Sequence, residues 1–385
     1  MKIVYVYPQF EHLAGTERVL IDKMNYLSTL EDFDIYVVTY DQGAHPFAYP
    51  LASSVKHIDL GICFYRLYKY NYVIRFVKFL NFRRTLRNKL ADFISNTKPD
   101  IVVVTTYHPY IMSLINTCPG HFVRLLESHI DKCFLHCNDP VNRKSLIKWI
   151  SSFYDMEYLN RKVKQFDILV ALHQNDANDW SKYINTTVIS NIVHLNDTNK
   201  YSDQQSKRVI FVGRYTIQKG IPDLFEIWKI VYQKHPDWHL DLYGDGDLAE
   251  IPYTEDYRQK INIHAHPSDP NIFFRYIESS IFVLTSLYEP FGLVLPEAMS
   301  CGLPVIAFDC PSGPAKIITD SVDGFLIKDR NVDEFAERLC QLIESPQLRI
   351  EMGKAAIVSS QRYSADLIMP QWISLFKELT ATRKR

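Results

Sequence analysis

A chain of 385 residues, 47% hydrophobic and 23% charged, can bury one large core or two ordinary ones, and its length favours two. A net charge of −1 excludes a global attraction for nucleic acid. The cysteines (Cys63, Cys118, Cys133, Cys137, Cys301, Cys310 and Cys340) are scattered and odd in number, which argues for a reducing compartment over a disulfide framework.

In chain order, Lys2–Tyr7 is an apolar strand running from Met1 to Pro8 without the pattern of a secretory leader. No apolar run is long enough to span a bilayer, so a cytoplasmic location is expected. Pro8–Arg18 then loops into an amphipathic helix reaching about Leu30. Thr16 is the candidate N-cap, and Gly15 would let the backbone approach a ligand closely. There is no Gly-x-Gly-x-x-Gly here, which counts against a nicotinamide dehydrogenase.

Asp34–Tyr40 reads as a second strand and Val55–Ile58 as a brief third. Tyr65–Asn96 is aromatic and basic, carrying Arg66, Lys69, Arg75, Lys78, Arg83, Arg84, Arg87 and Lys89. Its apolar positions repeat at helical spacing, predicting a long amphipathic helix or a pair. Such a surface suits peripheral contact with anionic lipid or a lipid-linked acceptor. It equally suits a solvated face with snorkelling cations, and the residues alone leave both open.

Asp100–Thr106 and His121–Glu127 read as strands, followed by His108 and His129. Open parallel sheets carry ligand residues just past their strands' carboxyl ends, so both histidines are candidates. The cluster His129-x3-Cys133-x2-His136-Cys137 lacks the paired spacing of structural zinc sites, and no metal is expected there. Asn142–Lys164 reads helical and Phe166–Ala171 as a strand. Asn175 or Asp176 would cap a helix to about Tyr183, and Thr187–Ser190 is a last short strand. Leu195–Lys207, polar and without apolar period, reads as a linker.

The pattern restarts at Arg208–Arg214. Arg214 falls at a strand end, and Lys219 with Gly220 at the start of the next helix. Two cations and a glycine there suit a diphosphate leaving group. Trp238–Tyr243 leads into Gly244-Asp245-Gly246-Asp247, whose two aspartates have the outward form of a divalent-metal pair. Asn262–His266 follows a short strand. Ile281–Leu284 is the short apolar run of a buried parallel strand, broken by Pro290 and Gly292. Leu293–Ser300 then reads as helical turns, with Pro296 tolerated in the first turn. Amides near Phe291, Gly292, Leu293 and Val294 would face outward beside a positive helix end, a seat for a diphosphate. Glu289 and Glu297 flank that seat. Carboxylates repel phosphate, so these two fit the hydroxyls of a donor with a sugar on each side of its diphosphate. Pro304–Phe308 is a strand, Gly324 a turn, Val332–Ser345 a helix and Tyr363–Thr380 a terminal amphipathic helix. Strand–helix alternation on both sides of the linker predicts two doubly wound α/β domains.

The run Glu-Pro-Phe-Gly-Leu-Val-Leu-Pro-Glu-Ala-Met-x-Cys-Gly-x-Pro-Val-Ile from Glu289 resembles the signature of the family-four retaining glycosyltransferases (glycosyl transferases group 1). Gly-Arg-x4-Lys-Gly at Gly213–Gly220 is a second match, and Ala14-Gly15 stands where the family usually has a glycine pair. The resemblance implies the GT-B fold, two Rossmann-like domains facing across a cleft. Residues 1–195 would be the acceptor side, 196–207 the linker, 208–362 the nucleotide-sugar domain, and 363–385 a terminal helix returning to the first domain.

The same resemblance implies transfer of a hexose, with retention, from a nucleotide sugar to a glycan or lipid-linked glycan hydroxyl in surface polysaccharide or glycoconjugate synthesis. A UDP-sugar donor is favoured and no cofactor is required. Glu289 would bind sugar hydroxyls and Glu297 the ribose, with Arg214 and Lys219 on the diphosphate. Gly244 would line the nucleotide side in a Gly-x-Gly turn that displaces the metal reading, and His266 would lie at the base. Gly15 would approach phosphate or sugar, and His129, ahead of His108, the reaction centre. The loop Asp309–Pro314 resembles a subset using galactose-type donors. Rival expectations are an epimerase on the same fold and a non-catalytic sugar-nucleotide sensor.

Overall fold

The computed structural model describes residues 1–105, 107–135, 156–246, 253–328 and 330–383. Thr106, His136, Cys137, Asp247, the first part of the predicted helix from Asn142, and the last two residues lie outside the described residues. The chain forms two compact units, Met1–Ile192 with Ala365–Arg385, and Val193–Ser364.

The first unit is built on seven parallel strands: β1 (Lys2–Tyr7), β2 (Asp34–Thr39), β3 (Lys56–Asp59), β4 (Ile101–Val104), β5 (Val123–Glu127), β6 (Ile168–Ala171) and β7 (Thr186–Val188). Their order is β3-β2-β1-β4-β5-β6-β7. A parallel sheet is covered on both faces, so its inner strands need apolar residues at every position. In β4 all four residues are aliphatic and fully buried, whereas the edge strand β3 tolerates exposed Lys56 and His57.

Helix Tyr72–Thr97 lays Leu86, Leu90 and Ile94, one turn apart, on this core. It starts where Asn71 accepts the Ile74 N–H at 3.0 Å, and a 3₁₀ turn at Phe64–Lys69 precedes it. Two predicted caps move. The helix Gly15–Ser28 is entered at Ala14, which offers no side-chain acceptor, so Thr16 lies inside the first turn. The helix Gln174–Trp180 is capped by His173, whose ring accepts the Asp176 N–H, while Asp176 turns inward to Ser128 and Lys132. The terminal helix Ala365–Arg383 packs into this unit through buried Trp372 and Phe376. No helix among the described residues is long and apolar enough to cross a membrane.

The second unit repeats the plan with β8 (Arg208–Val212), β9 (His239–Tyr243), β10 (Ile263–His266), β11 (Ile281–Leu284), β12 (Val305–Phe308) and β13 (Gly324–Ile327), all parallel, in the order β10-β9-β8-β11-β12-β13. Three sequence expectations shift here. Ile263–His266 is itself a strand, and Gly324 opens β13, where a side chain would strike the Val305 carbonyl. The polar stretch 195–207 is bonded into this unit: the Asn196 N–H donates to Ser300 Oγ at 3.0 Å, and the Gln204 side chain is buried on the Gly302 carbonyl. A further helix, Pro346–Ser360, fills a span with no predicted element. Ser345 caps it, and Gly353 sits mid-helix because Gln204 and Gly302 press against it.

Candidate functional site

In both sheets the strand order reverses beside the first strand, between β1 and β4 and between β8 and β11. The carboxyl ends of strands at such a reversal form a crevice for ligands. In the second unit two loops leave that point, Gly213–Gly220 after β8 and 285–293 after β11, and they interlock. The Thr285 hydroxyl donates to the Lys219 carbonyl at 3.0 Å, the Leu287 N–H to the Gln218 carbonyl at 2.7 Å, and the Gln218 amide to the Tyr288 carbonyl at 3.2 Å. Gly220 makes this contact fit. Its φ is +66°, and an added Cβ would lie 1.9 Å from the Thr285 oxygen.

The interlock sets two of the predicted residues against each other. Lys219 Nζ lies 2.7 Å from Glu289 Oε2, and the same oxygen accepts from Ser286 Oγ at 3.0 Å. Both side chains are nearly buried, at 12% and 11% exposure, so the pair is screened little by solvent. The Glu289 backbone is held too, since its carbonyl accepts the Gly313 N–H at 2.7 Å.

Past Phe291 and Gly292 the chain enters the helix Val294–Ser300, with Leu293 at its cap. The Glu297 N–H is the first to bond back a full turn, to Leu293, which leaves the preceding amides at the helix entry. Glu297, 8% exposed, accepts from the Tyr276 hydroxyl at 3.3 Å. Arg214 is exposed at the start of the β8 loop.

Gly244 lies where the β9 loop crosses the β8 loop. Its missing Cβ would sit 1.9 Å from the Gly213 oxygen, and its N–H donates to the His266 carbonyl at 3.2 Å. The His266 ring stacks on Tyr243 at 4.6 Å, while its carbonyl also receives the Tyr215 hydroxyl. An open pocket of about 740 Å³ lies beside Tyr243, lined by Arg208, Arg275, Asp203 and Glu278. None of the motif residues lines it. Among the described residues no group of three His, Cys, Asp or Glu side chains is gathered as metal ligands. Asp245 is described, accepting the Ser268 N–H at 3.3 Å.

Sequence reasoning misses the clamp on these loops. Arg330 donates to the carbonyls of Ser286 (2.9 Å) and Thr285 (3.0 Å) and pairs with Asp223. Nothing local signals it, because in sequence it stands in a polar turn after β13 and its partners lie over 40 residues away.

Gly15 and His129 belong to the first unit. Gly15 is exposed at the first position of its helix. His129 Nε2 lies 3.2 Å from Glu127 Oε1, with the imidazole only 8% exposed. Glu127 also pairs with Lys23, a fully buried lysine whose Nζ sits 3.8 Å over the Trp372 ring. Burial pushes the Glu127 carboxyl up, but Lys23 and His129 outweigh it and hold the group at about 2. Burial pulls Lys23 below its ordinary value against the opposing pull of Glu127. The direct contact and the aromatic seat favour the charged pair. His108 begins the helix Pro109–Thr117, and burial with Arg83 nearby lowers its pKa.

Residues 196–358 match the family model described as glycosyl transferases group 1. Over 388 residues the chain is 29% identical to the amylovoran biosynthesis glycosyltransferase AmsD of Erwinia amylovora, covering 96% of this chain and 98% of that protein. In fold it is similar to sucrose-phosphate synthase from Thermosynechococcus elongatus, with a TM-score of 0.78, 16% identity and 99% of each chain covered. It is likewise similar to Anabaena HepE, solved in complex with UDP, with a TM-score of 0.71 at 18% identity, covering 98% of this chain and 100% of that one. Both structures have the two-domain α/β architecture seen here, the GT-B fold.

Proposed function

From the premise that residues 196–358 match the group 1 glycosyltransferase model, we propose that the chain transfers a hexose from a UDP-sugar to a glycan or lipid-linked glycan hydroxyl, with retention, in surface polysaccharide synthesis. The observation that carries this reading is the Lys219–Glu289 contact at the β8/β11 reversal, inside the family segment. A lone cation there would serve any anion, and a lone carboxylate would repel a diphosphate. Held together, they suit a ligand with phosphate oxygens and sugar hydroxyls side by side. The relative named for amylovoran biosynthesis and the neighbour solved with UDP support the acceptor class and the base.

In this reading Lys219 and Arg214, with the amides of Phe291, Gly292, Leu293 and Val294, take the diphosphate. The C1–O bond breaks with its electron pair leaving on the diphosphate, and Lys219 is preorganised to stabilise that charge. Glu289 accepts hydrogen bonds from the sugar hydroxyls and Glu297 from the ribose, while Gly244 and His266 bound the nucleotide side. The acceptor oxygen bonds C1 from the face the diphosphate leaves, and its proton passes to the departing phosphate oxygen. In this reading acceptor choice falls to the first unit, and Gly15 and His129 keep the roles the resemblance implies, Gly15 toward phosphate or sugar and His129 toward the reaction centre.

The test is UDP release from a panel of UDP-hexoses with glycan acceptors, followed by NMR assignment of the product anomer. Acceptor-dependent release with a retained anomer is expected, and Lys219→Ala should slow it about 10²–10³-fold. An inverted product would overturn the retaining assignment. Conversion of one UDP-hexose into another with no transfer would point to an epimerase.

A further inference from the structure

We infer that the start of the long first-unit helix is a docking surface for an anionic lipid bilayer. This goes beyond the transfer reaction and does not depend on it. Helix Tyr72–Thr97 is buried only along its second half, through Leu86, Leu90 and Ile94. Its first half leaves large apolar side chains in solvent: Val73 is 71% exposed, Phe76 56%, Val77 62% and Leu80 48%. These positions follow at i, i+3, i+4 and i+7, so they form one stripe, and Tyr72 and Tyr68 extend it at the helix entry. Scattered exposed apolar residues need no explanation, but a contiguous stripe of this size marks an interaction site.

Charge decides the partner. From Leu60 to Ala91 the sequence holds eight cations and no acid. The apolar stripe runs on at helical spacing into exposed Arg84 and Arg87, and Arg66 and Lys69 stand exposed at its other end. Among the described residues no carboxylate pairs with any of the eight. Several instead lie over aromatic rings, as Lys78 does over Tyr70 at 4.6 Å and Arg75 over Tyr68 at 5.2 Å. Cations rimming a stripe of Phe, Val and Leu match an interfacial helix, which sinks its apolar side chains to the acyl boundary and sets its cations among phosphate headgroups. A second copy of the same face would bring two sets of unpaired cations together and repel. A nucleic-acid backbone would leave the apolar stripe unburied.

The experiment is co-sedimentation of the full chain with phosphatidylglycerol-rich vesicles and with pure phosphatidylcholine vesicles. Arg84→Glu/Arg87→Glu and Phe76→Asp/Val77→Asp are the variants, with thermal melting of each as the fold control. The substituted side chains are exposed, so unchanged melting temperatures are expected. Wild type should pellet with the anionic vesicles only. The charge reversal should cut that partition at least about tenfold and remove its salt sensitivity. The aspartate pair should abolish it even at low salt. Wild type that ignores both vesicle types, prefers neither, or binds undiminished in both variants overturns the inference. So does a wild type that stays off vesicles but forms dimers broken by Phe76→Asp/Val77→Asp, which would assign the stripe to self-association.

Discussion

The two units share the order of their first six strands yet hold the segments past their strand ends differently. The second unit relies on missing side chains: nine of the thirteen glycines lie in it, and Gly220, Gly244 and Gly313 each sit where a Cβ would strike a backbone oxygen. The first unit relies on buried charge, with Lys23, Glu127 and His129 joined at the end of β5. Backbone packed on backbone demands particular residues at fixed spacing, so it leaves a motif. A buried ion pair linking residues 104 apart leaves none.

The sharpest way to break this contrast is to remove the charge network. Lys23→Met should destabilise the protein by about 3–5 kcal/mol, because Glu127 is left buried without its main partner. Adding Glu127→Leu should recover much of that, and urea unfolding reads both. Lys219→Ala acts on the other unit and should cost less, about 1–3 kcal/mol, because Glu289 loses its cation but keeps the Ser286 hydroxyl, while turnover falls about 10²–10³-fold, as loss of one preorganised donor does. Steady-state kinetics should place that loss in kcat more than in KM if Lys219 serves the departing charge. Gly220→Ala should cost about 1–2 kcal/mol from its left-handed conformation alone, with the Thr285 clash adding to it, and should weaken nucleotide binding in parallel.

The smallest effect is on pH dependence. Burial pushes Asp41 and Asp176, both in the first unit, up to about 6. A raised folded-state pKa adds stability below the ordinary carboxylate value of about 4, and that contribution is lost as pH rises through about 6. Glu127 has the opposite sign, its contribution disappearing as pH falls from the ordinary range toward about 2. First-unit stability from these groups should therefore be greatest near the ordinary carboxylate range. Asp41→Asn should flatten the decline above it in urea titrations.

These differences explain what was legible in sequence. The parallel strands were, because short apolar runs such as Ile101–Val104 and Ile281–Leu284, bounded by polar and turn residues, fit strands buried on both faces. So was the glycine of the loop interlock, Gly220, since only a residue without a Cβ fits against the Thr285 carbonyl, and Lys219 and Glu289 stand in the two motifs on either side of that contact. Helix entries were less so. Thr16 and Asp176 have capping side chains, but the caps are Ala14 and His173, because tertiary contacts decide where the chain turns. The helix Pro346–Ser360 hid behind Gly353, a helix breaker by propensity that here serves close packing on Gly302. Arg330 and Lys23 carry no signal in the sequence, because only the folded chain brings their partners to them.

The central claim is that the interlocked loops of the second unit seat a nucleoside diphosphate. Thermal melting of wild type and Arg214→Ala with UDP, GDP and ADP tests it most directly, because a ligand of the native state raises the melting temperature by mass action. A rise with UDP that shrinks in Arg214→Ala is the predicted result. A folded protein whose melting temperature is unmoved by all three would contradict it.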